Sequence, residues 1–188
     1  MTEYKLRGYL VNPLGVNKIR EVATHARDIL RLTEKPVDMG DFLESLVRFD
    51  IVIDIIDELD MPGLLSHSEA CCIPERRTIY LTNETYERSC ENDPRSRFTI
   101  FHELGHFFLM HNRKFHRDNN FQKIKPKHYL DSEWQADQFA AETLMPLKTI
   151  ISERLFAPRM IQERFGVSAR AAEKRLRQLK ERGDIKSR

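Results

Sequence analysis

Apolar positions recur at helical spacing over much of this chain. Val16, Ile19, Val22, Ala23, Ala26, Ile29 and Leu30 predict a helix over Val16–Leu32, stopped before Pro36. Asp41–Val47, with Phe42, Leu43 and Leu46 apolar, reads as a short second helix. The pattern then changes to β-branched runs. Asp50–Ile56 (DIVIDII) reads as a strand and Met61-Pro62-Gly63 as a turn. Ala70–Ile73 and Thr78–Thr82 (TIYLT) read as two more strands, joined through Pro74-Glu75-Arg76-Arg77. Helical character returns in the strongly apolar Arg97–His111 (RFTIFHELGHFFLMH) and in Asp131–Leu144 (DSEWQADQFAAETL), which Met145-Pro146 stops. Leu147–Phe156 reads as another helix, and two helical segments flank Phe165-Gly166-Val167-Ser168. The expected fold class is therefore α+β: mostly helical, with a small three-stranded sheet. Residues 1–146 form one unit and 147–188 a C-terminal helical extension.

The apolar helix carries the chemistry. His102 and His106 stand one turn apart, separated by only about 40° of arc on a helix, so both imidazoles can meet one ion. Glu103 sits beside that line, where a carboxylate can take a proton from water activated by the ion. Chance occurrence of His-Glu-x-x-His on a solvated helix would mean only a charged face. Here Phe98, Ile100, Phe101, Leu104, Phe107 and Phe108 surround it, and buried imidazoles need partners that a metal supplies. Gly105 leaves room for backbone or substrate near the ion. A third ligand is needed. Leu109 and Asn112 exclude the HExxHxxGxxH extension, and His111 is no substitute, because nine residues beyond His102 puts it on about the opposite helix face. Glu133 and Asp137, one turn apart on the next helix, are the better source. One can ligate while the other holds a ligand histidine through its second nitrogen. An exposed acidic first turn favoured by the helix dipole is the plainer reading of that pair. Tyr129 and His128 are candidates, by type and position only, for steadying an oxyanion.

Composition narrows the setting. The 188 residues are 40% hydrophobic and 32% charged, enough apolar content for a core, and 31 basic against 29 acidic residues compel neither nucleic-acid nor membrane binding. Met1–Asn12 has no apolar run of a targeting segment, and no stretch is long and apolar enough to span a bilayer. The cysteines, Cys71, Cys72 and Cys90, form neither a disulfide framework nor CxxC pairs, which fits a reducing, cytoplasmic setting. Cys71 and Cys72 read as small apolar strand residues.

Three blocks in order, TIYLTNETYERSC, RSRFTIFHELGHFFLMH and EWQADQFAAETLMP, closely resemble the ImmA/IrrE family of metallopeptidases, over roughly Thr78–Pro146. The resemblance implies a zincin-like fold, a Zn2+ ion on His102, His106 and Glu133, and Glu103 as the catalytic glutamate. It also implies a protein substrate, a helix-turn-helix repressor of a phage, mobile element or toxin–antitoxin system. Thr78–Thr82 leads into the motif helix and is expected to be the sheet edge nearest the cleft, open to an extended substrate. The connection Asn112–Leu130 is long and basic, through Arg113, Lys114, Arg117, Lys123, Lys125 and Lys127, and reads either as a solvated loop or as a cationic rim to the cleft.

In the tail, Gly166 permits a turn and Ser168 caps a following helix, the outline of a helix-turn-helix. Arg170, Lys174, Arg175, Arg177, Lys180 and Arg182 make that helix basic. A solvated face on a helix packed through Ala171, Ala172, Leu176 and Leu179 accounts for this better than DNA contact does. The competing function is a non-catalytic DNA- or protein-binding regulator with a structural zinc. Glu103 argues against it, since a purely structural site has no use for a carboxylate beside an open ligand position.

Overall fold

The computed structural model describes residues 4–33, 35–56, 65, 68–111 and 127–186. Among them, α1 (Val16–Ile29), α2 (Met39–Ser45), β1 (Val52–Ile56), β2 (Ala70–Ile73), β3 (Thr78–Thr82), α3 (Asn83–Cys90) and α4 (Pro94–Phe108) come first. Then follow α5 (Ser132–Leu144), α6 (Leu147–Ser152), α7 (Pro158–Phe165) and α8 (Ala169–Glu181). The chain is α+β, mostly helical with one three-stranded sheet. The turn at Met61-Pro62-Gly63 and most of the Asn112–Leu130 connection lie outside the described residues.

The sheet order is β1-β3-β2, with β1 parallel and β2 antiparallel to β3. This corrects one expectation. Thr78–Thr82 is the central strand, paired on both sides, and not an edge. The reason lies in its partners: β1 and β2 both pair with it, and Thr78, Ile79, Tyr80 and Leu81 are all buried, so the strand is also covered on both faces. The edges are β1, which exposes Val52 and Ile55, and β2, which lies beside α4.

Local signals set the helix ends. α1 stops at Ile29, short of Pro36, because Arg31 turns left-handed at φ 53°. α4 begins earlier than Arg97: the Asp93 carboxylate accepts from the backbone N–H of Arg95 and Ser96, and Pro94 occupies the first turn. It also ends sooner, at Phe108. The Thr82 hydroxyl accepts from the Thr85 N–H and starts α3, an element the apolar pattern did not show.

One apolar cluster runs through the chain. Ile100, Phe101 and Leu104 of α4 meet Ile19, Ala23 and Ala26 of α1 and Phe139 and Ala140 of α5. Phe101 stacks on Phe42 at 5.1 Å between ring centroids. Truncating so enclosed an aromatic costs about 3–5 kcal/mol. Phe165, Val167, Leu176 and Leu179 from α7 to α8 belong to the same cluster. Gly166, at φ 61°, makes the turn before α8, and the Ser168 hydroxyl caps that helix. The buried Arg97 of α4 donates to the carbonyls of Gly166 and Val37.

Candidate metal centre

Helices α4 and α5 lie close because Gly105 has no side chain. A Cβ there would stand 3.0 Å from the Ala136 Cα and 3.1 Å from its carbonyl oxygen. The room that glycine leaves is thus filled by the backbone of α5. This contact sets the histidine face of α4 opposite the acidic first turns of α5.

His102 Nε2 lies 3.1 Å from Glu133 Oε2 and 3.1 Å from His106 Nε2, and His106 Nε2 lies 3.4 Å from Glu133 Oε1. One ligand atom from each of His102, His106 and Glu133 falls within 4.8 Å of the others, a group that could hold a metal ion. Asp137 is placed differently. Its Oδ1 is 3.1 Å from His102 Nδ1, the ring nitrogen turned away from the group.

The hydrogen-bond network assigns the tautomers. The Gln135 amide nitrogen donates to the backbone carbonyls of Asn12 and Tyr129, both at 2.8 Å, so its Oε1 is the free acceptor. That oxygen is 2.9 Å from His111 Nε2, which must donate. His111 Nδ1 is then an acceptor, and it takes the proton of His106 Nδ1 at 3.1 Å. His102 Nδ1 donates to the Asp137 carboxylate in the same way. With both rings neutral, as metal ligation requires, each turns an Nε2 lone pair toward the Glu133 carboxylate. Lone pairs that converge at hydrogen-bond distance need a cation among them, and two nitrogens with one carboxylate oxygen suit zinc with an open fourth position.

The electrostatics agree with that demand. Burial alone would lower the His102 pKa, but hydrogen bonds with Asp137 and Glu133 outweigh it and raise the pKa to about 10. His106 is pushed down to about 3, first by burial and then by the charge on His102. One proton thus serves the pair, in the place where a metal ion would neutralise the carboxylates. Burial would raise Glu133 and Asp137, yet their histidine partners hold both below the usual carboxylate range. Glu103 moves the other way, raised by burial. Only 8% exposed, it is not one of the converging residues. Its Oε2 accepts from the backbone N–H of Cys72 on β2 at 2.7 Å.

The profile of the IrrE N-terminal-like domain, peptidase family M78, matches residues 73–177. The chain belongs to this family. The matched span takes in His102, Glu103, His106 and Glu133. Among solved structures, a Mycobacterium tuberculosis transcriptional regulator is 14% identical, with a TM-score of 0.48. That match covers 83% of this chain and 45% of the regulator, so the chain spans less than half of its length. No curated protein matches.

Several residues that shape this IrrE-like site have roles that local spacing does not show. Helical spacing through His111 puts that residue opposite the motif, and the structure corrects this. Instead Met110 turns left-handed at φ 54°, the His111 N–H bonds back to the His106 carbonyl, and the imidazole lies buried against His106. The fully buried Asp131 caps α5 by accepting from the Glu133 N–H, and it also accepts from Tyr4 Oη and the backbone N–H of Arg7 and Gly8. The N-terminal segment so held passes directly over Glu133: a Cβ on Gly8 would lie 2.3 Å from Ser132 Oγ and 2.7 Å from Glu133 Cγ. Only the Asp-x-Glu spelling at the helix start hinted at any of this. Of the oxyanion candidates, His128 packs edge-on to Trp134, and the Tyr129 carbonyl accepts from Gln135 and Leu14.

Proposed function

We propose that this chain is a zinc-dependent metallo-endopeptidase of the cytoplasm that cleaves a helix-turn-helix repressor of a phage, mobile element or toxin–antitoxin system. The observation that carries the reading is the division of labour around one point. His102, His106 and Glu133 converge there, while the buried Glu103 stays out of the ligand group and is held by Cys72. A solely structural site would not need that fourth group. Three free cysteines and, among the described residues, no helix long and apolar enough to cross a membrane support the setting.

Bound between these ligands, zinc would act as a Lewis acid toward water and the scissile carbonyl. Asp137 and His111 fix the ring orientations of His102 and His106. Glu103, its pKa raised by burial, takes a proton from the attacking water and passes it to the leaving amide nitrogen. The amide C–N bond breaks and the water oxygen stays on the carbonyl carbon. The outer edge of β2 is the strand available to an extended substrate, and the Cys72 N–H on that edge is already engaged by Glu103. DNA contact through α8 is not part of the proposal. Arg175 is fully buried on Glu142, and Lys174 reaches Asp137.

The test is to incubate zinc-loaded protein with repressors encoded next to its gene and to identify fragments by mass spectrometry. Wild type should cleave, and Glu103→Gln should keep its zinc and lose cleavage. Equal cleavage by Glu103→Gln would overturn the mechanism. Absence of cleavage by zinc-loaded wild type, with an intact repressor complex, would favour the non-catalytic regulator.

A further inference from the structure

Asp137 has two faces. One oxygen holds His102, while Oδ2 looks into a separate groove of about 830 Å3 lined by α4, α5, α8 and the N-terminal segment. A volume of that order is typical of sites for small organic ligands. Each helix offers one stripe to it. From α4 come Arg95, Phe98 and Thr99; from α5, Trp134, Asp137 and Ala141; from α8, Arg170, Ala171 and Lys174.

Two features of the lining point to a kind of ligand. The first is an apolar wall. Phe98 and Trp134 are only half-buried, and Ala141, Met145 and Ala171 continue the surface they begin. The Trp134 indole N–H has no hydrogen-bond partner among the described residues. The second is an excess of positive charge. Arg7 and Lys174 share Asp137 Oδ2 at 3.1 and 3.4 Å, and Arg95 pairs with Glu69 at 2.6 Å. Arg170, one turn before Lys174 on the same face, is exposed and has no ion-pair partner among the described residues. Four cations thus face two carboxylates, and the fifth basic residue, Arg175, is already neutralised internally by Glu142.

We propose that this groove binds a small organic anion: a carboxylate, sulfonate or phosphate carried on an apolar body of aromatic size. The body lies on Phe98 and Trp134, and the acid group meets Arg170 and Lys174. The basic stripe that gives α8 a nucleic-acid-like composition is, at these two positions, the anion-binding wall of the groove.

The only tryptophan of the chain, Trp134, stands in that wall and reports on it directly. The probe is anilinonaphthalene sulfonate, titrated into the full chain while energy transfer from Trp134 to the dye is followed. Uncharged N-phenyl-1-naphthylamine serves as the matched control. The expected result is saturable one-site binding with transfer, about tenfold or more weaker for the uncharged dye, as loss of a charged hydrogen bond implies. Arg170→Gln with Lys174→Gln should weaken the sulfonate by a similar factor and leave the uncharged dye unaffected, with an unchanged circular dichroism spectrum. Binding without transfer from Trp134, equal affinity for the two dyes, or no effect of the double variant on the sulfonate would each overturn the proposal.

Discussion

His111→Phe isolates the contact that orients one of the proposed ligands. Phenylalanine keeps a planar ring, one heavy atom larger, at a position only 2% exposed, so most of the packing is retained. Two hydrogen bonds are lost: the one that His106 Nδ1–H makes at 3.1 Å and the one made to Gln135 Oε1 at 2.9 Å. Each bond contributes about 1 kcal/mol net, and a buried group left unpaired costs about 1–3 kcal/mol, so unfolding stability should fall by about 2–4 kcal/mol. The share that concerns the ion is separable. Loss of a hydrogen bond that orients a ligand histidine weakens metal binding by about 10- to 100-fold, or about 1.4–2.7 kcal/mol. Competition against a chromophoric chelator measures the zinc affinity and urea unfolding the stability. Gln135→Leu, which removes the acceptor for His111 Nε2–H one step further out, should show a smaller loss in the same direction. An unchanged zinc affinity in His111→Phe, with the stability loss present, would refute the orienting role and leave His111 as packing alone.

Two other perturbations follow from the structure. Gly8→Ala places a methyl group against Ser132 Oγ and Glu133 Cγ, so it should lower zinc affinity more than it lowers stability; equal metal binding by chelator competition would show that the N-terminal segment yields freely. Glu142→Gln leaves the fully buried Arg175 without its carboxylate and should cost about 3–5 kcal/mol in urea unfolding. Burial would raise the Glu142 pKa, but Arg175 and Arg20 outweigh it and hold the folded value below the ordinary one. The stabilisation is therefore present above the unfolded pKa and lost as pH falls through the folded one. Stability of wild type should drop faster on acidification than that of Glu142→Gln, and parallel pH profiles would contradict this.

The parts of the fold that repeat a period were legible in the sequence. β2 and β3 were bounded correctly, at Ala70–Ile73 and Thr78–Thr82, and Gly166 and Ser168 marked the turn and cap before α8. The spacing of His102 and His106, and of Glu133 and Asp137, brought together by the α4–α5 contact, follows from 3.6 residues per turn. What stayed hidden depends on pairing and on chain reversal. Nothing in TIYLT distinguishes a central strand from an edge, because both need apolar residues and only the partners differ. The helix end at Phe108 rests on Met110 adopting a left-handed conformation that an apolar run gives no warning of, and with it went His111. The grip of the N-terminal segment on Asp131 joins residues more than 120 positions apart, beyond the reach of any local pattern.

The central claim is that one ion is held by His102, His106 and Glu133, with Asp137 behind His102 and Glu103 outside the ligand set. The most direct measurement is an anomalous difference map, collected across the zinc absorption edge, from crystals of the metal-loaded protein. The account expects one peak per chain, about 2.0–2.2 Å from Nε2 of each histidine and from a Glu133 oxygen. A peak bound by Asp137 or Glu103 in place of Glu133, or no peak between the two histidines, would contradict it.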